Sequence, residues 1–599
     1  MNLLRSLRET GALRAVDLAL ADTLRRLDPD TTDLVLAAAA LASLAVTQGH
    51  AAFDLTRPQL LVDAALPWPD AVAWSQTLAA SRWVATPASS KDEAEAAPLV
   101  LENNLLYLRR YREYERRLAL HLHRIASHAI EGDGNAIAPL FATLFLLPLA
   151  GEDAQRADEG ASEDRQARAA TLALHYALLL VTGGPGTGKT TTITKLLALR
   201  IAQAQHACKP LPRIALAAPT GRAAERMAES LRNATSKMAA LGIDDAVLAA
   251  LPSGASTLHR LLGTIPDSPR FRHHAGNPLP FDIVVVDEAS MVDLPLMCKL
   301  ADAVADGAQL ILLGDPDQLP SVEAGDVLAS ILDAASDDES PFPARRIHLL
   351  RGYRQSETLH LAPLADAVRS GDAAETLRLL RSAELPGIHF HEHIDDPLHA
   401  RGIDLLAHWR TLATQADPAR ALQQASGLRL LTALREGPHG ARGLNARIEA
   451  QLASRRIGSP PAWFPGRLLL IAENSYRHGL FNGDIGICLP DADGTQLAWF
   501  PGGSDGVRAF HPAALPAHES AFAMTVHKAQ GSEHDTVWLQ LPRADSPVLS
   551  RELLYTAITR ARSALHIAGS AQVIETALSR HASRVSGLGW RLGQPVVRS

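Results

Sequence analysis

Cysteine is scarce in this chain, long apolar runs are missing, and there is no excess of positive charge. The 599 residues include 3 cysteines, Cys208, Cys298 and Cys488, with no CxxC pair. That excludes the usual zinc and iron–sulfur signatures, and scattered thiols fit a reducing cytoplasm, the expected location. The longest apolar run, LVLAAAALASLAV (residues 34–46), is too short to cross a bilayer and reads as a buried helix. The opening MNLLRSLRETGALRAVDLAL alternates Arg and Leu at helical spacing, without the apolar core or cleavage site of a signal peptide. Formal net charge is −7, so bulk charge does not signal nucleic acid, although an acidic protein can carry a basic groove. There is no fixed-period repeat. Nor is there a nuclease constellation of paired carboxylates with a lysine. At 47% hydrophobic and 21% charged residues, the composition is that of a soluble chain long enough for several domains.

What is present centres on ALLLVTGGPGTGKTTTITKLLALR, residues 177–200. An apolar strand runs into Gly183, Gly184, Pro185, Gly186, Thr187, Gly188, Lys189, Thr190 and Thr191, and an amphipathic helix follows. Glycines let backbone N–H groups turn inward around a triphosphate, and the helix N-terminus adds its positive end. Lys189 reaches the outer phosphates. Thr190 offers a hydroxyl to Mg²⁺. ATP and Mg²⁺ are the expected ligands.

The rest of the chain is arranged around that stretch. Residues 1–85 read as helical, with Trp68, Trp74 and Trp83 in a bundle core or, as the sharper alternative, a docking surface. Residues 86–98 and 151–166 are polar, acidic linkers, and the Leu and Tyr spacing after the first of them is helical. From there strands and helices alternate, the pattern of a parallel sheet covered by helices. The expected fold is α/β, with two parallel-sheet motor domains. The divisions are 1–150 for a helical, partner-docking N-terminal domain, 151–345 for the first motor domain, and 346–599 for the second. A short insertion is expected at about 260–281. Short strands between Gly, Asn and Asp turns at about 460–515 read as a small β-barrel insertion.

Asp287 and Glu288 end the strand IVVVD. The aspartate there can hold Mg²⁺ opposite Thr190, and the glutamate can deprotonate an attacking water. Gln318, after the strand AQLILLGD, comes out at the same sheet edge and can sense the γ-phosphate. Arg354 and Arg560 lie in the second α/β region. A triphosphate held between two domains needs a cation from the far side as charge develops, and arginine's planar fork suits that role.

The ordered set resembles a superfamily 1B helicase. GGPGTGKT is similar to motif I, APTGRAAERM (218–227) to motif Ia, and STLHRLLG (256–263) to motif Ib. DEAS (287–290), GDPDQLPSV (314–322) and YRQ (353–355) resemble motifs II to IV, and TVHKAQGSEHD (525–535) and LLYTAITRAR (553–562) resemble motifs V and VI. LFNGDIG (480–486) resembles the SH3-like barrel insertion of such helicases. Within the subgroup the chain looks most like the RecD family, the alpha subunit of exodeoxyribonuclease V, with His534 standing where the family often has an aromatic. The resemblance implies a DNA-dependent motor moving 5′→3′, in a heterotrimer with beta and gamma (RecB- and RecC-type) subunits that process DNA ends. It makes Gln166 the adenine reader and Glu533 a ribose contact. Pro219, Thr220, Thr257, His259, Thr525, His527 and Lys528 fall on the path of single-stranded DNA. Competing readings are a stand-alone helicase of the same subgroup and a structural subunit whose ATP site is an assembly switch.

Overall fold

The computed structural model describes residues 2–87, 97–130, 136–145, 160–335, 341–349, 359–394, 396–399, 405–453, 462–475, 477–502, 506–582 and 584–594, with side chains left out at 160–164 and 399. The Ala- and Leu-rich run is the helix Asp33–Thr47, buried from Val35 to Ala45 because helices pack on it from several sides. Trp74 is core, with its indole N–H donating to Leu34 O at 3.1 Å, and Trp83 donates to Thr31 Oγ1 at 2.8 Å.

This N-terminal region also carries a small sheet. Its strands are β1 (Phe53–Asp54), β2 (Val84–Ala85), β3 (Leu99–Glu102) and β4 (Leu105–Leu108), in the order β1-β4-β3-β2. Helical spacing from residue 101 suggested continuous helix there. Instead Asn103 and Asn104 adopt φ of 51° and 60° and turn a hairpin. Consecutive left-handed positions make the tight turn that suits two twisted strands, and asparagine tolerates them.

The helix therefore begins at Arg109 and runs to Ala126. Its Leu118, Leu122 and Ile125 enter the core of the first motor sheet, and it packs along the helix Leu294–Ala303. The N-terminal region and the first motor unit thus share a core before residue 150.

That motor sheet contains β5 (Leu178–Gly183), β6 (Ile214–Ala218), β7 (Ser256–Thr257), β8 (Ile283–Val286), β9 (Gln309–Gly314) and β10 (Arg345–Leu349). All pair in parallel, in the order β10-β5-β9-β8-β6-β7. β5, β8 and β9 are buried from end to end, as expected where helices cover both faces. β10 pairs with β5 up to Leu349 opposite Gly183, so the first unit reaches past the expected boundary at 345.

A second parallel sheet contains β11 (Ile388–His391), β12 (Leu428–Thr432), β18 (Ala523–Thr525), β19 (His534–Gln540) and β20 (Ala561–Ala568), in the order β11-β20-β19-β12-β18. Between β12 and β18 lies an antiparallel insertion of β13 (Leu468–Ile471), β14 (Ile485–Pro490), β15 (Gln496–Pro501), β16 (Val507–Phe510) and β17 (His518–Ser520). It has its own small core, including Leu469, Leu480, Cys488 and Phe500.

After the helix Ala571–Ser579 the chain crosses back over the first unit. The helix Leu588–Leu592 packs on Val327–Ala334 and on Arg109–Ala126. Arg591 there pairs with Glu102 at 2.7 Å and with the fully buried Glu115 at 3.2 Å. No helix among the described residues is long and apolar enough to cross a membrane.

Candidate nucleotide site and nucleic-acid track

β5 delivers the chain at Gly183 into the loop that precedes the helix Lys189–His206. Gly186 and Gly188 stand at φ of 78° and 80°, the left-handed region that glycine enters without strain. A Cβ on Gly184 would come within 3.0 Å of the Tyr555 hydroxyl of the second unit, so the loop is also tight from the far side. Lys189 Nζ donates to the carbonyls of Gly183 and Gly184 across the loop.

Parallel strand ends gather the acidic residues at the same edge. Asp287 follows β8 and is half-buried, and desolvation together with the adjacent Glu288 carboxylate pushes its carboxyl up to about 6. Glu288 donates its backbone N–H to Asp287 Oδ1 at 2.8 Å and sits at φ 52°, a strained position for a non-glycine residue. Asp315 follows β9. Burial raises its pKa, against hydrogen bonds from Gln318 Nε2 at 3.0 Å and the Tyr555 hydroxyl at 3.2 Å.

These groups open on one cavity of about 680 Å³. It is lined by Gln166, the loop from Pro185 to Thr191, Asp287, Glu288 and Gln318 of the first unit, and by Glu533 and Arg560 of the second. Arg560 is only 2% exposed. Its guanidinium donates to Thr556 O at 3.1 Å, Ser532 O at 3.2 Å and Thr559 Oγ1 at 3.4 Å. Burial lowers its pKa, and it lies close enough to Glu288 to feel that charge. Arg354 lies outside the described residues.

The units also touch beside the cavity. The Leu319 backbone donates its N–H to Thr556 Oγ1 at 2.8 Å and accepts from Gln530 Nε2 at 2.8 Å. One residue in this seam escaped the sequence reading. Arg226, inside APTGRAAERM, donates to Gly531 O at 2.8 Å and pairs with Glu533 at 2.9 Å across the cleft. Burial works against its charge, but Glu533, Glu288 and Asp287 together hold its pKa above the usual arginine value. Arg562 meets the other Glu533 oxygen at 3.0 Å. A signal for Arg226 was available: it lies in the second turn of the helix that Thr220 caps. Leu144 and Phe145, also unforeseen, reach the cavity from the helix Ala138–Phe145. There Lys195 donates to Leu144 O at 2.6 Å and stands 5.1 Å from the Phe145 ring centre.

The track candidates cluster at the same sheet edges. β6 pairs with β7 through Ala218 and Thr257, so Pro219 and Thr220 emerge beside Thr257 and His259. Thr220 caps the helix Gly221–Ala240 through Ala223 N at 3.2 Å, and Thr257 accepts from Arg260 N at 3.3 Å. From the second unit, Gly531 faces Thr220, a Cβ there lying 3.5 Å from Thr220 Oγ1. Thr525 Oγ1 accepts from Lys528 N at 3.3 Å, and the half-exposed Lys528 is paired with Glu519 of β17. His259 is exposed at its edge, and desolvation lowers the pKa of both His259 and His527. His534 is buried and bonded to Ser426 O at 2.9 Å, so an imidazole fills its place within the core.

Known proteins resemble the chain along its length. Residues 9–107 match the N-terminal domain of the RecBCD enzyme subunit RecD, residues 166–324 an AAA domain, and residues 520–568 the UvrD-like helicase C-terminal domain. The RecBCD enzyme subunit RecD of Mycobacterium tuberculosis is 38% identical over 98% of this chain and 96% of its own length. That of Mycolicibacterium smegmatis is 37% identical over 99% of each. The ATP-dependent RecD2 DNA helicase of Deinococcus radiodurans is 34% identical over 74% of this chain and 55% of its own. With such identity sustained from end to end, the chain belongs to the family of the RecBCD enzyme subunit RecD.

Proposed function

We propose that this chain is an ATP-dependent 5′→3′ DNA helicase, the motor subunit of an exodeoxyribonuclease V that processes DNA ends in recombinational repair. It works as a heterotrimer with RecB- and RecC-type subunits, which carry the nuclease. The observation behind this reading is the buried Arg560 of the second unit, opening on the cavity that holds Lys189 and Glu288 of the first. A nucleotide there touches both units, so its hydrolysis can move one against the other.

Each residue has a task. Loop N–H groups and Lys189 hold the phosphates. Gln166 and Glu533 take the base and ribose ends. Glu288 removes a proton from the attacking water, Arg560 and Arg354 stabilise charge on the leaving phosphate oxygens, and Gln318 reports on the outer phosphate. Thr190 and Asp287 suit Mg²⁺. Such an ion is carried largely by phosphates and waters. When bound, Mg²⁺ supplies charge neutralisation at those phosphates. The antiparallel insertion is an SH3-like barrel, and the hydroxyls and cations of the track grip the sugar–phosphate backbone without reading sequence.

The test is ATP hydrolysis by the full chain with and without single-stranded DNA. Stimulation by the DNA is expected. An unaltered rate would favour an ATP site that only switches assembly.

A further inference from the structure

The barrel insertion sends one loop to the first motor unit, and that loop carries an aromatic that none of the roles above uses. Residues 472–484 connect β13 to β14. Leu480 is fully buried in the barrel's own core, whereas its neighbour Phe481 is half-buried at the other unit. A Cβ on Gly221 would stand 3.7 Å from Phe481 Cβ. The Arg260 guanidinium lies 5.9 Å from the Phe481 ring centre. Gly221 follows Thr220, and Arg260 follows His259, so Phe481 sits beside both groups of track residues on the first unit.

Hydrogen bonds hold the loop around Phe481. Phe481 N donates to Asp484 Oδ2 at 2.7 Å, and Gly483 N donates to Ile471 O at 2.9 Å, with Gly483 at φ 99°. Arg508 of β16 braces it from below, donating to His478 O at 3.1 Å and Gly479 O at 3.0 Å. Ser475 and Leu480 exchange backbone hydrogen bonds across its base. On the facing surface the helix Gly221–Ala240 presents its positive N-terminal end, and Arg222 Nη1 there is buried without a hydrogen-bond partner.

A held ring beside Arg260 and a helix N-terminus suits a single strand, with phosphates on the cation and a base on the ring face, while the Asp484 and Glu225 carboxylates nearby balance the buried Arg222. We infer that Phe481, with Arg260 beside it, is a stacking platform for one base of the translocating single strand. The barrel is then part of the DNA track. This rests on the DNA-motor reading above and adds to it a contact from the insertion.

The test uses the full-length chain and oligothymidylate carrying a single 2-aminopurine at successive positions. Wild type is expected to quench 2-aminopurine strongly at one position. Phe481→Leu keeps apolar bulk but loses the aromatic face, and should lose that quench and weaken binding about 5- to 150-fold, the range for one stacked base. Phe481→Trp should keep both. A leucine variant that binds and quenches like wild type overturns the platform and makes Phe481 a packing contact between units. If the wild type itself does not bind the oligonucleotide, the DNA-motor reading fails, and the platform with it.

Discussion

The two parallel sheets share an architecture and differ in what their loops offer. After β5 the first sheet offers backbone: a glycine-rich turn whose amides and lysine suit phosphate in any state of the cycle. The second sheet sends only side chains to the cavity. Arg560 leads into β20, and Glu533 immediately precedes β19. Their interiors differ as well. The first unit encloses Thr192, Thr194, Gln203 and Gln309, whereas the second encloses Arg429, His534, His566 and Gln540. On the proposed roles, the first unit binds nucleotide alone and hydrolysis needs the second to close on it. Losing Lys189 of the first unit should weaken nucleotide binding itself. Losing a second-unit group should separate turnover from binding.

The largest effect is expected from Arg560→Ala. Removing an arginine that completes a phosphoryl-transfer site lowers kcat by roughly 10³- to 10⁵-fold, while ATP affinity, measured with a fluorescent analogue, should change much less. Equal losses in the two would make Arg560 a ground-state contact and erase the proposed division between sheets. Next comes Glu288→Gln. General-base removal is worth roughly 10²- to 10⁴-fold in turnover, with binding retained, because the isosteric amide cannot take a proton. Wild-type hydrolysis by this variant would move the base elsewhere.

Glu533→Ala should act more mildly. It leaves Arg226 and Arg562 without the carboxylate that bridges the units, and removes the proposed ribose contact. The expected result is a rise in KM for ATP of about 3- to 10-fold, in line with one lost ordinary hydrogen bond, and a smaller preference for ATP over a nucleotide lacking ribose hydroxyls. Unchanged sugar discrimination would leave Glu533 as an inter-unit tie only.

The smallest effect concerns the polar interior of the second sheet. His566, beside His391 and stacked on Trp538, has its pKa lowered to about 3, first by burial and then by His389 and His391. The unfolded chain titrates near the ordinary histidine value of about 6.5. Between the two values the unfolded state binds more protons, so stability is complete above the higher value and falls as pH drops toward the lower. From pH 7.5 to pH 5 the loss should be about 1–2 kcal/mol, seen in urea melts followed by Trp538 fluorescence and reduced in His566→Asn. A melt with no such pH dependence would mean that the imidazole is reached by solvent.

Much of the cavity was legible because its chemistry is local. GGPGTGKT, DEAS and GDPDQLPSV each sit at one strand end, and parallel pairing brings strand ends together. The fold class was legible for the same reason, from apolar runs separated by amphipathic helices. What escaped was contact between distant segments. The Arg226–Glu533 pair joins residues far apart in the chain, and nothing in either stretch marks the partner. The Asn103–Asn104 hairpin was missed because Leu spacing on short strands also fits a helix. The domain line at 150 had a polar linker in its favour, yet the helix Arg109–Ala126 buries its apolar face in the first motor core. Composition cannot show which core a helix joins.

Direction of travel tests the account most directly, since it requires the cavity, the track and the family assignment to act together. The measurement is unwinding of a partial duplex by the full chain with ATP, comparing a 5′ single-stranded tail with a 3′ tail of equal length. The account predicts unwinding of the 5′-tailed duplex, weakening as salt rises because phosphate contacts release counterions, and none of the 3′-tailed one. Preferential unwinding of the 3′-tailed duplex would contradict it, even if every substitution in the ATP site behaved as expected.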